Sequence, residues 1–336
     1  MGDNNLRLVL LIFIVMGYLS CGEKSHMVVQ ENGMVLIPSG ILQMGGDNEQ
    51  ADQDEYPKHD VAIKSFWMDE TEVTNRDFQK FVDATDYITV AERKIDWEEM
   101  KKQLPPGTAK PHDSILQPGA LVFRPTNQPV LLNNPGQWWK WTPKADWKHP
   151  EGPGSSIEDK WDHPVVQIAW EDAVSYCEWV GKRLPTEAEW EWAARGGLEN
   201  AIYPWGNTPV DEGKPQANFY QGQFPYKDLV LDGFSGTAPV KSFAPNRYGL
   251  YDMAGNVWEW CADWYKYDYY GEKEESVDGP AGSYDPQQPY TPVKVTRGGS
   301  FLCNESYCSG YRNARRMKSS PDTGLNHNGF RCVRDN

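Results

Sequence analysis

The sequence predicts an α+β fold: a single loop-rich domain with little regular secondary structure. Two observations carry this. The 336 residues include 30 glycines and 25 prolines, which favour turns and ordered loops over a helix bundle. They also include 15 tryptophans, yet only a few stretches keep a helical or strand period long enough to name an element. With 39% hydrophobic and 13% aromatic residues the chain can offset its ordering entropy, which excludes disorder. A formal net charge of −15 argues against phosphate-backbone binding, so no nucleic-acid partner is expected.

The chain opens on an address. Leu8 to Met16 is an apolar run too short to span a bilayer, preceded by Arg7 and ended by Gly17, and it reads as the core of an export signal over 1–20. Ser20-Cys21-Gly22 at its end resembles a bacterial lipoprotein processing site, so Cys21 is the expected lipidation point and membrane contact is expected through that anchor only. The expected location is outside the cytoplasm, periplasmic or cell-surface, where disulfides persist. A polar tether over 21–33 follows, and the domain is expected over 34–336.

Within the domain, Met34-Val35-Leu36-Ile37 reads as a strand closed by the turn at Pro38-Ser39-Gly40, and Val61 to Trp67 as another. Thr74 is an N-cap with Asp77 three residues on, and Phe78, Phe81 and Val82 share a face of the helix that follows. A second helix fits Glu171 to Val180, stopped by Gly181. A third starts at Thr186, with Glu189 in capping-box position, and ends before Gly196-Gly197. Tyr270 to Pro292 is polar and turn-rich, a surface excursion.

The chemistry concentrates near the end of the chain, in Arg297-Gly298-Gly299-Ser300-Phe301-Leu302-Cys303-Asn304-Glu305-Ser306-Tyr307-Cys308. Two thiols five positions apart converge if the loop turns back. Zinc fits poorly, because a closed site wants four N/S ligands and no partner CxxC or HxxxH exists. Two thiolates alone suit a soft ion, Cu(I). A plain disulfide suits an exported protein, and on spacing alone it is the favoured of the two readings.

Four stretches then coincide with one family: Met34 to Gly40; Gly181-Lys182-Arg183-Leu184-Pro185-Thr186-Glu187-Ala188-Glu189-Trp190-Glu191-Trp192; Gly249-Leu250-Tyr251-Asp252-Met253-Ala254-Gly255-Asn256-Val257-Trp258-Glu259-Trp260; and Gly298-Gly299-Ser300 through Gly329-Phe330-Arg331-Cys332. From Met34 to Arg334 the chain resembles the sulfatase-modifying-factor family, whose fold is C-type-lectin-like and whose founding activity is that of the formylglycine-generating enzyme. The first three stretches specify the fold; the Cys303/Cys308 pair specifies the oxidase. The resemblance implies a copper-dependent, O2-dependent oxidoreductase that converts the cysteine of a Cys-x-Pro-x-Arg segment in an unfolded or nascent sulfatase to formylglycine, using a thiol reductant.

The same resemblance implies residue roles. Cys303 and Cys308 would hold Cu(I); Ser300 and Trp258 match active-site positions; Tyr307 and Arg316 match groove-lining positions. Glu72 and Asp96 match the acids that meet the substrate arginine. Two Ca2+ sites would fall on Asn218, Phe219, Asp232 and Phe234, and on Asp252, Gly255, Val257 and Glu259. Cys177 and Cys332 match a disulfide pair, with Cys261 left as a buried thiol. The alternative is a non-catalytic exported lipoprotein of the same fold acting as scaffold or binding module; the cysteine pair discriminates between the two.

Overall fold

The structure, a computed structural model, describes residues 28–113, 115–272 and 279–336. The export signal, Cys21 and the tether up to residue 27 lie outside the described residues. Among the described residues no helix is long and apolar enough to cross a membrane.

Two small sheets and three hairpins carry the fold. One sheet contains β1 (Gln30–Glu31), β2 (Met34–Ile37), β5 (Phe66–Asp69) and β14 (Val333–Asp335), antiparallel throughout, in the order β1-β2-β5-β14. Strand β1 therefore falls inside the segment expected as the tether over 21–33. The other sheet contains β10 (Trp258–Trp264), β11 (Lys294–Arg297), β12 (Met317–Ser319) and β13 (Asn328–Gly329), in the order β12-β11-β10-β13, with β13 parallel to β10. Separate ribbons pair β3 (Gly40–Met44) with β4 (His59–Ile63), β6 (Gly119–Phe123) with β7 (Trp139–Pro143), and β8 (Gly222–Gln223) with β9 (Lys227–Asp228). The single strand expected over 61–67 is two: its first half pairs with β3, and after Lys64-Ser65 its second half pairs with β2 and β14. Alternation continues through such a break, so a periodicity argument does not see it.

The three expected helices form. They are α1 (Asn75–Thr85), α3 (Trp170–Trp179) and α4 (Glu187–Arg195), with a four-residue α2 (Trp97–Met100) between the first two. Thr74 caps α1 by accepting from the Asp77 N–H. In α4 the capping box closes from both sides, with the Glu189 N–H on Thr186 Oγ1 at 3.1 Å and the Thr186 N–H on Glu189 Oε2 at 2.9 Å. Such caps contribute about 1 kcal/mol each. Gly196 ends α4 at φ 57°, a left-handed conformation that glycine adopts without a Cβ penalty.

Helix α4 lies against β3, β4, β10 and β11, in a core with Ile37, Phe66, Trp190, Tyr265 and Val295. Tyr269 and Tyr270 join this core, so the start of the expected surface excursion is buried. A second cluster packs α1 on α3 through Phe78, Phe81 and Tyr176, closed by Trp147, Trp260 and Phe330. The four arginines 297, 312, 316 and 331 are wholly buried. Each meets a carboxylate: Arg297 with Glu191 and Glu187, Arg312 with Glu55, Arg316 with Glu187, Arg331 with Glu259. A buried guanidinium is tolerable only when paired in this way. Two of the four, Arg297 and Arg312, bracket the cysteine loop.

Candidate functional site

Strand β11 ends at Arg297, and Gly298-Gly299 turn the chain inward, both at positive φ, 93° and 78°. A Cβ on Gly299 would meet the backbone of Gly310 at 2.6 Å, so the two ends of the loop approach as closely as glycine permits. Between them the Cys303 N–H donates to the Ser300 carbonyl (2.9 Å), and both Tyr307 and Cys308 donate backbone N–H groups to the Asn304 carbonyl (2.9 and 2.8 Å). Asn304 fastens the loop outward, its Nδ2 on the carbonyls of Tyr220 (3.0 Å) and Gly222 (3.2 Å). These turns bring Cys303 and Cys308 together as a disulfide, Cα atoms 5.2 Å apart.

The pair has two different sides. Cys303 is sealed; its Sγ accepts the Ser300 N–H at 3.4 Å and lies beside Gly310, whose Cα also faces the Trp258 ring. A Cβ on Gly310 would stand 2.6 Å from the Trp258 ring and 2.7 Å from Cys303 Sγ. Cys308 instead lines a cleft of about 290 Å3, with Tyr203, Tyr307 and Tyr311 among its walls and Gln50, Asp52, Asp211, Glu305 and Arg315 beside them. Tyr307 is fixed by stacking on Phe224, with ring centres 4.3 Å apart, and meets Trp138 edge-on. Burial pushes the Tyr307 phenol up, so it stays protonated at neutral pH.

A histidine sits behind the pair. Ser300 Oγ lies 2.9 Å from His327 Nδ1 and accepts the Leu302 N–H at 3.2 Å. Burial depresses the His327 pKa to about 3, so the imidazole is neutral. Its backbone carbonyl accepts the Trp258 N–H at 2.9 Å. In the sequence His327 is one of six scattered histidines, and its place two residues before Gly329-Phe330-Arg331-Cys332 is the one available signal.

Comparison with known proteins decides the family. A family profile described as "Sulfatase-modifying factor enzyme 1-like domain" matches residues 22–336. The chain belongs to the sulfatase-modifying-factor family. It is 48% identical over 307 residues to the formylglycine-generating enzyme of Thermomonospora curvata, covering 90% of this chain and 93% of that protein. It is 43% identical over 303 residues to the formylglycine-generating enzyme of Bos taurus, covering 90% and 74%. Among solved structures, PvdO from Pseudomonas aeruginosa superposes with a TM-score of 0.59 at 25% identity, over 94% of this chain and 100% of that one.

For this family member the structure brings together Cys303, Cys308, Ser300, Trp258 and Tyr307, and places three expected substrate-binding residues elsewhere. Arg316 is not in the cleft. It is buried, paired with both Glu187 oxygens (2.8 and 3.0 Å) and stacked over Tyr265 and Tyr270, because a guanidinium inside the core must meet a carboxylate. Glu72 is 1% exposed; one oxygen accepts from Asn256 Nδ2 at 2.9 Å and the other has no hydrogen-bond partner. Burial, with Asp252 nearby, raises its pKa well above the usual carboxylate range, so Glu72 is a core acid and not a groove wall. Asp96 is an exposed N-cap of α2, accepting the Glu98 N–H at 2.8 Å. The acids that do face the cleft beside Cys308 are Asp52, Asp211 and Glu305. Only Glu305, between the two cysteines, carries a positional signal.

The expected Cys177–Cys332 bond is absent. The two are buried thiols with sulfurs 3.0 Å apart, and enclosure pushes the Cys332 thiol well above its usual pKa, so both stand reduced and close but unbonded. Cys261 is likewise a buried thiol. Donor chemistry at the remaining expected ion sites differs. At the first calcium set, Asn218 Oδ1 is buried with no hydrogen-bond partner, and Asp232 accepts the N–H groups of Phe219, the next residue, and of Phe234. An orphaned hard oxygen whose chain neighbour is held by a carboxylate fits a hard cation. At the second set Glu259 is already held by Arg331 (2.6 and 2.7 Å) and by Trp190 Nε1 (2.8 Å), so positive charge stands where a second cation would be needed, and the set as a whole does not fit. The cysteine pair, once reduced, fits a soft ion: two thiol sulfurs, one sealed and one open to the cleft.

Proposed function

We propose that this protein oxidises the cysteine of a Cys-x-Pro-x-Arg segment in a sulfatase polypeptide to formylglycine. The observation that carries the reading is the asymmetric cysteine pair, with Cys303 enclosed by Ser300, Gly310 and Trp258 and Cys308 at the wall of an acidic cleft. Membership of the family and likeness to relatives named formylglycine-generating enzyme support conversion of a cysteine to formylglycine.

In net terms, the substrate thiol, O2 and two reducing equivalents from an external thiol give the aldehyde, hydrogen sulfide and water. O2 takes up four electrons and becomes two waters. Two of those electrons come with the substrate's S–H and one β-hydrogen, leaving a thioaldehyde, and two come from the reductant. Water then adds to the thioaldehyde carbon and hydrogen sulfide leaves. The reductant also opens the Cys303–Cys308 bond before the first turnover. Cu(I), which the two thiols would hold, supplies activation of O2. The chain's own residues do the rest. Asp211 and Glu305 attract the substrate arginine at the cleft rim, Tyr307 walls the peptide, and Trp258 with Gly310 keeps water from Cys303. A calcium ion at Asn218 and Asp232 would brace the loop that carries Tyr220, on which Asn304 is tied. Export and lipidation at Cys21 belong to the same reading, since they place the enzyme beside exported clients.

The deciding experiment incubates copper-loaded protein with a Cys-x-Pro-x-Arg peptide and a thiol reductant under air, and looks for the aldehyde by mass spectrometry. Aldehyde from wild type and none from Cys308→Ser supports the oxidase. No aldehyde from wild type sinks it in favour of a binding module.

A further inference from the structure

His327 touches both parts of the cysteine frame. Its carbonyl holds the start of β10 through the Trp258 N–H at 2.9 Å, and its Nδ1 meets Ser300 Oγ at 2.9 Å. The ring packs against Trp139 of β7, with centres 4.7 Å apart, which fixes its plane from the other side. Ser300 passes this order on. Its Oγ accepts the Leu302 N–H, its carbonyl accepts the Cys303 N–H, and its own N–H points at Cys303 Sγ. One oxygen lone pair is taken by Leu302. A neutral imidazole therefore fixes the rest of the hydroxyl, either by accepting its proton or by donating to its second lone pair.

We propose that His327 is a positioning residue for the cysteine pair: by locking the Ser300 hydroxyl it holds the 300–303 turn, and with it the N–H that donates to Cys303 Sγ. A hydrogen bond to sulfur favours the reduced, more electron-rich form of the pair over the disulfide. Losing the His327 contact loosens the turn and shifts the exchange equilibrium toward the Cys303–Cys308 disulfide. The inference rests on the proposed function only for its catalytic meaning; the redox effect needs no metal and no substrate.

The test uses metal-free full-length protein with a chelator, equilibrated in dithiothreitol buffers of graded oxidation. Samples are acid-quenched and alkylated, and peptide mapping assigns the Cys303–Cys308 couple. His327→Phe keeps the ring's bulk and removes the hydrogen bond; it should favour the disulfide by roughly tenfold, the worth of one charge-assisted or well-placed hydrogen bond. His327→Asn, which can put an amide group near the Nδ1 position, should return the equilibrium to within about twofold. Ser300→Ala should shift it as His327→Phe does, and the double variant should add little further, because the two residues act in series. Should His327→Phe fail to fold, the Ser300→Ala shift and the recovery in His327→Asn still decide. An unchanged equilibrium in His327→Phe and Ser300→Ala, or equal shifts in the Phe and Asn variants, overturns the proposal. Failure of the peptide-oxidation assay with this redox pattern intact would remove the proposed function and leave the positioning role standing.

Discussion

Arg312 lies flat against Glu55 across 257 residues of chain, Nη1 to Oε2 at 2.8 Å and Nη2 to Oε1 at 2.6 Å, both side chains sealed from solvent. The contact ties the end of the cysteine loop to the segment that follows β3, and so fixes one wall of the cleft beside Cys308. Removing one partner leaves a buried, unpaired charge. Glu55→Ala should therefore cost about 3–5 kcal/mol in urea unfolding, whereas Glu55→Leu combined with Arg312→Met should recover most of that loss. A double-mutant cycle that shows simple additivity would contradict the pairing.

Gly310 separates the Trp258 ring from Cys303 Sγ with no room for a methyl group. Gly310→Ala should press ring and sulfur apart, costing about 1–3 kcal/mol of stability. Peptide oxidation should fall much further than the fraction folded does, because the displaced atoms are those of the site. Parallel thermal melts and aldehyde yields check this, and a loss of activity that merely follows the unfolded fraction would refute it.

Asp263 carries a pH dependence that can be isolated. It is buried, accepts the Glu187 N–H at 2.7 Å, and burial raises its pKa to about 7. A raised carboxyl is protonated in the fold while still ionised in the unfolded chain. Its contribution is thus fully present below the unfolded value of about 4 and is lost as pH rises to about 7. Relative to Asp263→Asn, the wild type should lose about 2 kcal/mol of stability between about pH 5 and about pH 7, read from urea midpoints. A difference between the two proteins that does not change with pH would contradict the assignment.

The cleft acids make a kinetic prediction. Asp211 and Glu305 are exposed and line the same cleft as Cys308. Asp211→Asn with Glu305→Gln should raise KM for an arginine-bearing peptide about three- to tenfold with kcat nearly kept, since rim charges act on capture more than on chemistry. A peptide with norleucine in place of arginine should show no such difference.

The thiols of Cys177 and Cys332 are a small displacement from bonding. Mild oxidation should join them, and closing 155 residues of chain should add up to about 5 kcal/mol by chain entropy, less any strain. Mass mapping and melting before and after diamide, with Cys177→Ser as the control, measure this directly. No change in melting on bond formation would argue that the two segments are already held by α3 packing alone.

Local chemistry is the legible part of the fold. Thr74 and Thr186 announce helices because a cap is written within four residues, and Gly196-Gly197 announce the end of α4 because glycine fits the left-handed cap. Strand partners are not legible: β13 is parallel to a strand about 70 positions earlier, and nothing within a window encodes that. At the site, spacing singles out Cys303 and Cys308, while Ser300 and Trp258 are reached only through the resemblance to the family. Arg316 and Glu72, expected in the substrate groove from the resemblance alone, are buried here, one held by Glu187 and the other with its pKa raised, because matching a motif position does not fix which way a side chain faces. His327 escapes because its contacts, with Ser300 Oγ, the Trp258 N–H and the Trp139 ring, all cross long stretches of sequence.

The enclosed arginine–glutamate pairs have one more consequence. Arg297 with Glu191 and Arg316 with Glu187 are out of reach of dissolved ions, while Asp211 and Glu305 are bathed in them. Ionic strength therefore acts on the exposed charges, the cleft acids among them, and not on these enclosed pairs. Between dilute buffer and half-molar salt the framework that shapes the cysteine loop should hold, while long-range attraction between the cleft and a cationic peptide fades over a shrinking Debye length. In the exported setting proposed above, salinity changes without the buffering of a cytoplasm. Under the proposed function, such a division keeps the cysteine centre assembled while the surrounding salt sets how readily a cationic peptide is drawn in.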